Sequence, residues 1–217
     1  MIRIVCILIG YLFGLFQTAF IIGKIHGIDI RNYGSGNSGT TNMMRTLGRK
    51  WGLVTFAGDC IKCLLACLLV RILFSKTHGD IMILLSMYTA AGCILGHNFP
   101  FYLNFRGGKG IAATAGFVFS TGNPWLIGLG LLTFFLTLIL TGYVSLGSLM
   151  VYTGLVIEII VMGQMGVFGL SKPHLIELYI LIILLALLAF WMHRENIARL
   201  LAGTERKSSM FRRRKNG

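Results

Sequence analysis

The chain has few charged residues and very few acids. Asp and Glu account for seven of its 217 residues and Lys and Arg for 20, so that 12% of the side chains are charged and the net charge is +13. Soluble domains carry about 25% charged residues. Hydrophobic residues make up 55% of the chain, and the mean hydropathy is +0.78. This composition excludes an ordinary soluble domain. It predicts an all-α integral membrane protein, because the apolar runs are long and do not alternate as the strands of a membrane barrel do.

The sequence also lacks the patterns that mark a disulfide framework or a metal site. Its five cysteines all lie in apolar runs, at Cys6, Cys60, Cys63, Cys67 and Cys93. Cys60 and Cys63 have the spacing of a CxxC pair, but no second pair accompanies them. The five histidines are scattered along the chain. We therefore expect the cysteines to be small buried residues of helices, and we expect neither a metal nor another cofactor.

Seven apolar segments predict transmembrane helices of roughly 20 residues, although the fourth segment is short. They cover residues 2–23, 51–74, 81–95, 111–121, 124–141, 149–169 and 175–192. The first is too long for the core of a signal peptide and has no convincing cleavage site, so we interpret it as a spanning helix. We expect one polytopic membrane domain over 1–198 and a basic tail over 199–217, with the run 212–215 near anionic lipid.

Lys and Arg are distributed unevenly between the loops. With alternating crossings, the segments 24–50, 104–110 and 193–217 fall on one side and hold five, two and eight basic residues. The opposite loops hold Lys76 and Lys172. By the positive-inside rule, the basic side with the C-terminus is cytoplasmic and the N-terminus faces out. The polar segment 141–148 falls on the same side, so we expect an active site at the cytoplasmic edge.

The most polar of these segments is the glycine-rich loop 32–45. Gly34, Gly36 and Gly39 allow positive φ and close approach to a ligand, and N–H groups in such a loop can form an anion-binding nest. Neutral polar side chains add donors, and Arg45 adds a planar cation suited to phosphate. The loop contains GxGxxG, but it follows a membrane helix rather than a strand, which excludes a dinucleotide site. We interpret it as a phosphate cradle; the alternative is a flexible loop of turn-forming residues.

A second candidate anion site precedes the fourth helix, at Gly107, Gly108, Lys109 and Gly110. A lysine among glycines at a helix N-terminus combines its charge with free N–H groups and the helix dipole. The alternative is a basic loop that only sets topology. His97, just upstream, is either a general base or a brace for the irregular end of the third helix.

Two further groups combine polar residues at helical spacing. Asp59 and Lys62 lie three residues apart in the second helix, where they form either a structural ion pair or part of a functional cavity. His193, Asn196 and Arg199 follow the last helix and share one face. The alternative reading of this second group is an interfacial amphipathic helix.

With these segments identified, the chain resembles the PlsY family, the bacterial acyl-phosphate-dependent glycerol-3-phosphate acyltransferases, over nearly its whole length. Three long motifs carry the resemblance, at 34–45, 96–110 and 193–205. The family's Asp-x-x-Lys in the second helix is present as Asp59 and Lys62, followed by cysteine where the family has glycine. Its Thr-Arg-Tyr-Val-Ser stretch is present at 141–145 with Gly142 in place of arginine, so one cation of the family is missing here.

The resemblance implies seven transmembrane helices and transfer of a fatty acyl group from acyl phosphate to the sn-1 hydroxyl of glycerol-3-phosphate. The products would be lysophosphatidic acid and inorganic phosphate, in the first acylation of phospholipid synthesis at the bacterial cell (inner) membrane. The implied partners are the two substrates, membrane lipid and PlsX, the enzyme that supplies acyl phosphate. No nucleic acid is expected as a partner.

The candidate site residues come from the matching segments. As catalytic residues we expect Ser35, Arg45, His193 and Asn196. For binding phosphate and glycerol-3-phosphate we expect Gly34, Gly36, Asn37, Gly39, Thr40, Thr41, Asn42, His97, Gly107, Gly108, Lys109, Gly110, Ser145 and Ser148. Two groups could take the proton of the acceptor hydroxyl: His193, which is the available protein base, or a substrate phosphate oxygen, which the resemblance implies. Our hypothesis is that His193 and Asn196 orient glycerol-3-phosphate rather than abstract the proton. The alternative from another class is an organic-phosphate permease, which would share basic cytoplasmic loops and broken helices.

Overall fold

The structure is a computed structural model that describes residues 1–208, and this part of the chain consists of helices and loops without β-strands. The α-helices are α1 (Ile2–Gly14), α2 (Thr18–Ile25), α3 (Thr40–Thr46), α4 (Arg49–His78), α5 (Met82–Asn98), α6 (Ile111–Thr121), α7 (Pro124–Thr141), α8 (Val144–Gln164), α9 (Lys172–Met192) and α10 (Arg194–Leu201). Short 3₁₀ turns occupy Ile30–Asn32, Gly79–Ile81 and Phe101–Leu103. The all-α class predicted from composition is confirmed.

Helix α5 lies at the centre of the bundle, in contact with α1, α4, α6 and α9. Thirteen of its 17 residues are buried. Helix α7, by contrast, packs mainly against α8, and its other faces carry exposed leucine, isoleucine and phenylalanine side chains. Such a helix, apolar on all sides but covered on one, is suited to contact with lipid.

Four glycines let α1 and α5 approach until their backbones touch. A Cβ at Gly10 would lie 1.9 Å from a carbonyl oxygen of α5, and one at Gly92 would lie 2.1 Å from a carbonyl oxygen of α1. The same close approach recurs one turn further along, at Gly14 and Gly96. Small residues spaced four apart allow this kind of contact between membrane helices. The contact fixes the end of α5, where the second candidate anion site begins.

Five helical stretches of the described chain are long and apolar enough to cross a membrane. The longest, Arg49–Leu103, contains both α4 and α5, which are joined by the turn at Gly79–Ile81 and pack against each other. Helix α6 is apolar but shorter, as expected from the sequence. The structure is thus that of a multi-pass helical membrane protein, whereas the count of seven spans and the direction of the termini stay predictions.

The first predicted helix, 2–23, is not continuous. A break at residues 15–17 divides it into α1 and α2. Two buried side chains bond the carbonyl groups that the break releases. Gln17 Nε2 donates to the Gly14 oxygen at 3.1 Å, and Lys62 Nζ donates to the Phe16 oxygen at 2.6 Å. The prediction of one helix was wrong because the lysine that stabilises the break belongs to a distant helix, α4.

Three other boundaries near the polar segments differ from those expected. The loop 24–50 contains a short helix, α3. Helix α5 extends to Asn98, so His97 lies in its last turn. Helix α8 begins at Val144 rather than at 149, so the expected polar break at 141–148 is for the most part the start of this helix.

The ends of the chain and the middle helices complete the comparison. The domain boundary expected at residue 198 falls inside α10. The basic run 212–215 lies outside the described residues. The helices predicted over 111–121 and 124–141 have these bounds in the structure.

Candidate active site

The predicted site residues occupy the ends of helices and the loops between them. They lie before α3 (residues 34–39), in α3 (Thr40, Thr41, Asn42 and Arg45), at the end of α5 (His97), before α6 (107–110), at the start of α8 (Ser145 and Ser148), between α9 and α10 (His193) and in α10 (Asn196). Because successive long helices run in opposite directions, these places meet at one end of the bundle. Hydrogen bonds between the segments show which of the residues come together.

Asn42 holds the first glycine-rich loop in its shape. Its Nδ2 donates to the backbone oxygens of Ile30 and Tyr33 at 3.1 and 3.0 Å, and its Oδ1 accepts the Ser35 N–H at 2.9 Å. Gly34 has a φ of +60°, and a Cβ there would lie 2.2 Å from Asn42 Oδ1, so the position requires glycine. The buried amide of Asn42 is therefore used within the loop, and its predicted contact with substrate would have to replace one of these bonds.

Two hydroxyl groups of this loop are buried and have no hydrogen-bond partner among the described residues. They are Ser38 Oγ and Thr40 Oγ1, and Ser38 is only 1% exposed. Buried polar atoms are nearly always bonded, so these two hydroxyls indicate a place that a polar ligand or solvent satisfies. Thr40 is one of the predicted binding residues. Ser38 is not, although it lies in the same motif.

The second glycine-rich loop folds back onto the end of α5. The N–H groups of Gly107 and Gly108 donate to the backbone oxygens of Asn98 and His97 at 3.1 and 3.0 Å. From the first loop, Asn37 Nδ2 reaches the Gly107 oxygen at 3.5 Å, so the two loops are neighbours. The Asn98 side chain is buried, and neither of its polar atoms has a partner in the described part of the chain. Asn98 was not predicted as a site residue, yet it adds unpaired donors and acceptors to this region.

His97 is buried beneath the second loop. Its Nδ1 lies 2.9 Å from Lys62 Nζ. A Cβ added to Gly108 would lie 2.0 Å from its Nε2. Both ring nitrogens therefore face protein atoms. Of the two roles that the sequence left open, this geometry favours the brace over the general base.

A chain of hydrogen bonds joins the second loop to the C-terminal segment. Lys109 Nζ donates to Asn196 Oδ1, and Asn196 Nδ2 donates to Glu205 Oε1 at 2.7 Å. The same carboxylate accepts Arg199 Nε at 2.7 Å and Ser145 Oγ at 3.0 Å. Glu205 is thus the common partner of the loop, α8 and α10. Glu205 lies in the third motif, at 193–205, but it is not among the residues predicted for the site.

The two serines of α8 differ in their partners. Ser145 bonds Glu205, whereas Ser148 Oγ donates to the Val144 oxygen of its own helix at 2.9 Å. The structure therefore connects Ser145 with the site. The predicted contact between Ser148 and substrate has no corresponding link.

The surroundings of Lys109 and Glu205 set their ionisation. Burial, and then the charge of Arg199, lower the pKa of Lys109 to about 8. Burial alone would raise the pKa of the Glu205 carboxyl, but hydrogen bonds from Asn196, Arg199 and Ser145 lower it below its usual value. At neutral pH the lysine is therefore a cation and the glutamate an anion.

Arg45 brings a further cation to the same segment. Its Nη2 donates to the Arg206 oxygen at 3.4 Å. Burial, and then the charge of Arg206, lower the pKa of Arg45, and the charges of Glu205 and Arg199 also act on it. Arg45, Lys109 and Arg199 together exceed the charge of the single Glu205 carboxylate. The site therefore carries net positive charge and favours anions such as phosphate groups.

His193 lies buried between α9 and α10. Its Nδ1 is 2.8 Å from the Ala189 oxygen, so Nδ1 carries the proton and Nε2 is left as an acceptor. Burial, and then the charge of Lys109, lower the pKa of His193 to about 4. At neutral pH the side chain is a neutral imidazole that can accept a hydrogen bond from a hydroxyl group.

Comparison with known proteins identifies the family. A family model for glycerol-3-phosphate acyltransferases matches residues 4–203. The chain belongs to this family. A glycerol-3-phosphate acyltransferase of Clostridioides difficile is 39% identical over 206 residues, which cover 94% of each chain, and one from a Thermoanaerobacter species is 42% identical over 202 residues, which cover 92% of each.

Solved structures of a glycerol-3-phosphate acyltransferase have the same fold. The chain is 30% identical in sequence to PlsY, an integral membrane glycerol 3-phosphate acyltransferase. The structure of PlsY in its glycerol 3-phosphate form matches the chain with a TM-score of 0.82 over 96% of each chain. In its lysophosphatidic acid form the identity is 29% and the TM-score 0.78 over 94% of each chain. The chain is therefore an acyltransferase and an integral membrane protein, and this displaces the permease alternative.

We predict that Glu205→Gln destabilises the protein. A glutamine amide has no negative charge to pair with the Arg199 guanidinium. Hydrogen bonds to charged groups contribute about 1.5–3 kcal/mol each to stability. The midpoint of thermal unfolding in detergent should fall, and acyltransferase activity with it. Glu195→Gln is the matched control, because the Glu195 carboxylate is 73% exposed and lies 4.0 Å from the same arginine. Equal midpoints for the two variants would contradict the role given to Glu205.

Proposed function

We propose that the protein transfers a fatty acyl group from acyl phosphate to the sn-1 hydroxyl of glycerol-3-phosphate, with lysophosphatidic acid and inorganic phosphate as products. The glycerol-3-phosphate acyltransferases among its relatives and the glycerol 3-phosphate and lysophosphatidic acid forms of PlsY support this reaction. The observation that carries the proposal is the meeting of two glycine-rich loops at a site of net positive charge, where two buried hydroxyls have no partner among residues 1–208.

Both substrates of this reaction carry phosphate, and the site offers two places to hold it. One lies around Arg45 and the hydroxyls of the first loop, including the exposed Ser35; the other lies around Lys109 in the second loop. Acyl phosphate is a mixed anhydride, so the leaving phosphate needs little activation. Positioning of the two substrates and stabilisation of negative charge then supply most of the catalysis.

In this reaction the sn-1 oxygen attacks the acyl carbonyl carbon, and the bond between that carbon and the phosphate oxygen breaks. The phosphate leaves with the electron pair, and the hydroxyl proton passes to a phosphate oxygen of a substrate. Neutral His193 orients the acceptor by receiving a hydrogen bond at Nε2. Asn196 holds the Lys109 ammonium, whose charge stabilises phosphate.

We further propose seven spans, formed by α1 together with α2, and by α4, α5, α6, α7, α8 and α9. The basic residues at the site end support a cytoplasmic position for that end, with the N-terminus outside. The protein would then lie in the bacterial cell (inner) membrane and receive acyl phosphate from PlsX. Its acyl acceptor would enter from the cytoplasm.

The pKa of Lys109 predicts how activity depends on pH. Because this pKa is lowered to about 8, the ammonium is charged below pH 8 and loses its charge as the pH rises further. The kcat/KM for glycerol-3-phosphate, which reports the free enzyme, should therefore fall above about pH 8. Lys109→Arg should move this fall to higher pH, since arginine stays charged. His193 itself should cause no loss between about pH 7 and 5, because it stays neutral there with a pKa of about 4. A flat profile through pH 9 would contradict the assignment of Lys109.

Phosphate release from synthetic acyl phosphate tests the function. The purified protein, in detergent or lipid, should release phosphate and form lysophosphatidic acid only when glycerol-3-phosphate is present. Arg45→Ala and Lys109→Ala should each lower this rate at least about a hundredfold, because each removes a phosphate-binding charge. Lys76→Ala is the control, since Lys76 lies at the opposite end of α4 and should leave the rate unchanged.

A rate that does not depend on glycerol-3-phosphate would overturn the proposed acceptor. Equal rates in Arg45→Ala, Lys109→Ala and Lys76→Ala would leave the acyltransferase in place but contradict the two phosphate sites. The two outcomes are separate, so one assay distinguishes the reaction from its assigned residues.

A further inference from the structure

A buried ionic cluster lies between the break in the first helix and the second glycine-rich loop. It consists of Asp59, Lys62 and His97, which are 1%, 5% and 3% exposed. Lys62 Nζ lies 2.9 Å from Asp59 Oδ1 and 2.9 Å from His97 Nδ1. None of the three is among the groups that we expect to react. Charges buried at this depth of a membrane protein are costly, so their presence calls for a role.

The Lys62 ammonium fixes the state of the His97 ring. A lysine donates hydrogen bonds and accepts none. Besides Asp59, its Nζ is within hydrogen-bond distance of the Phe16 oxygen at 2.6 Å and of His97 Nδ1. His97 Nδ1 must therefore act as an acceptor, and the ring proton is on Nε2. The ring is held in one neutral tautomer and in one orientation.

The other edge of the ring lies against the second loop. A Cβ added to Gly108 would come within 2.0 Å of His97 Nε2, so no side chain larger than hydrogen fits there. The Gly108 N–H also donates to the His97 backbone oxygen at 3.0 Å. Ring and backbone together fix the position of Gly108. The next residue is Lys109, whose ammonium bonds Asn196.

The same cluster holds the chain that leads into the first loop. Thr18 Oγ1 donates to Asp59 Oδ1 at 3.0 Å, and Gln17 Nε2 donates to the His97 backbone oxygen at 3.1 Å. Helix α2 begins at Thr18 and runs towards the first loop. Both glycine-rich loops are thus connected to one buried ion pair.

We infer that Lys62 is a positioning residue for acyl transfer: through His97 it holds Gly108 so that Lys109 stands where the acceptor phosphate binds. The identity of this acceptor rests on the proposed function. The role differs from that of an ion pair that only joins helices, because it makes acceptor binding, rather than stability alone, depend on Lys62.

A charge-neutral double variant, Asp59→Asn with Lys62→Met, tests the inference without leaving one buried charge unpaired. The KM for glycerol-3-phosphate should rise about tenfold or more, because a displacement of about 1 Å at a site can cost about a hundredfold in rate. The KM for acyl phosphate should change less than about twofold, because the ring of His97 meets Gly108 and so displaces Lys109, whereas the link from Asp59 to the first loop runs only through the start of α2. Hydrogen exchange is measured on both proteins without substrate. Over residues 105–110 it should be faster in the variant than in the wild type, and over 150–160 in α8 the two proteins should exchange at the same rate.

A second pair of variants tests the contact between ring and loop and leaves the ion pair unchanged. Gly108→Ala should lower kcat/KM for glycerol-3-phosphate at least about tenfold, because the new methyl group meets the His97 ring. His97→Ala alone removes the support of the loop and should also lower this value, but the double variant has no ring for the methyl group to meet, so its loss should be at least about threefold smaller than the product of the two single losses, a coupling expected of residues in contact. These variants test the contact between the His97 ring and Gly108 even if the charge-neutral variant does not fold.

Two results would overturn the inference. One is a charge-neutral variant with both KM values and the exchange over 105–110 unchanged. The other is a Gly108→Ala/His97→Ala protein whose loss in kcat/KM equals the product of the losses of the two single variants, since ring and loop would then not be coupled. Failure of the proposed function has a different signature, since wild-type protein would then release no phosphate in response to glycerol-3-phosphate while the exchange measurement would still report the position of the loop.

Discussion

The hydrogen bonds of the Glu205 carboxylate join three separate parts of the chain, and the geometry of the site depends on them. One carboxylate receives donors from α8 and α10 and, through Asn196, determines the position of the Lys109 ammonium. Gathering Lys109, Arg45 and Arg199 without an anion would be unfavourable in a partly buried place. With one buried carboxylate, Glu205, and one exposed carboxylate, Glu195, beside three cations, the site keeps an excess of positive charge. That excess of positive charge favours the binding of phosphate groups, as the proposed reaction requires.

The arrangement of the site also depends on how the membrane helices pack against each other. Glycines bring the backbones of α1 and α5 into contact, which fixes the end of α5. His97 stands at that end, beneath Gly108 and beside Lys62. The close packing of α1 and α5 therefore supports the position of the second glycine-rich loop. This explains why a short polar loop, with few contacts of its own, can hold a lysine in one place.

The elements that could be predicted from the sequence are those whose signals are local. Pro124 marks the start of α7, and Gly110 and Gly122 flank α6, and both helices have the expected bounds. The two glycine-rich loops and the helix at 194–201 could also be predicted, because their glycines, charged residues and helical spacing are visible in the local sequence. The basic loops indicated correctly that the polar segments belong together, and the structure joins them by hydrogen bonds.

The features that escaped prediction depend on residues far apart in the sequence. The break at 15–17 is stabilised by Lys62, which is 46 residues from Phe16. Glu205 bonds Ser145 across 60 residues, so this link between α8 and the C-terminal segment could not be predicted from the third motif alone. Ser145 was predicted to lie in the polar break at 141–148, because polar residues at the start of a helix resemble a turn. Ser38 and Asn98 stand out only when their burial and lack of partners in the described chain are known.

The most direct test of this account is an experimental structure of the protein with glycerol-3-phosphate bound. The account predicts that the phosphate lies within hydrogen-bond distance, about 2.7–3.2 Å, of Lys109 Nζ or the Arg45 guanidinium. It also predicts that the ligand gives partners to the hydroxyls of Ser38 and Thr40. A phosphate bound away from both loops, with those hydroxyls still buried and unpaired, would contradict the convergence of the two loops on one phosphate-binding site.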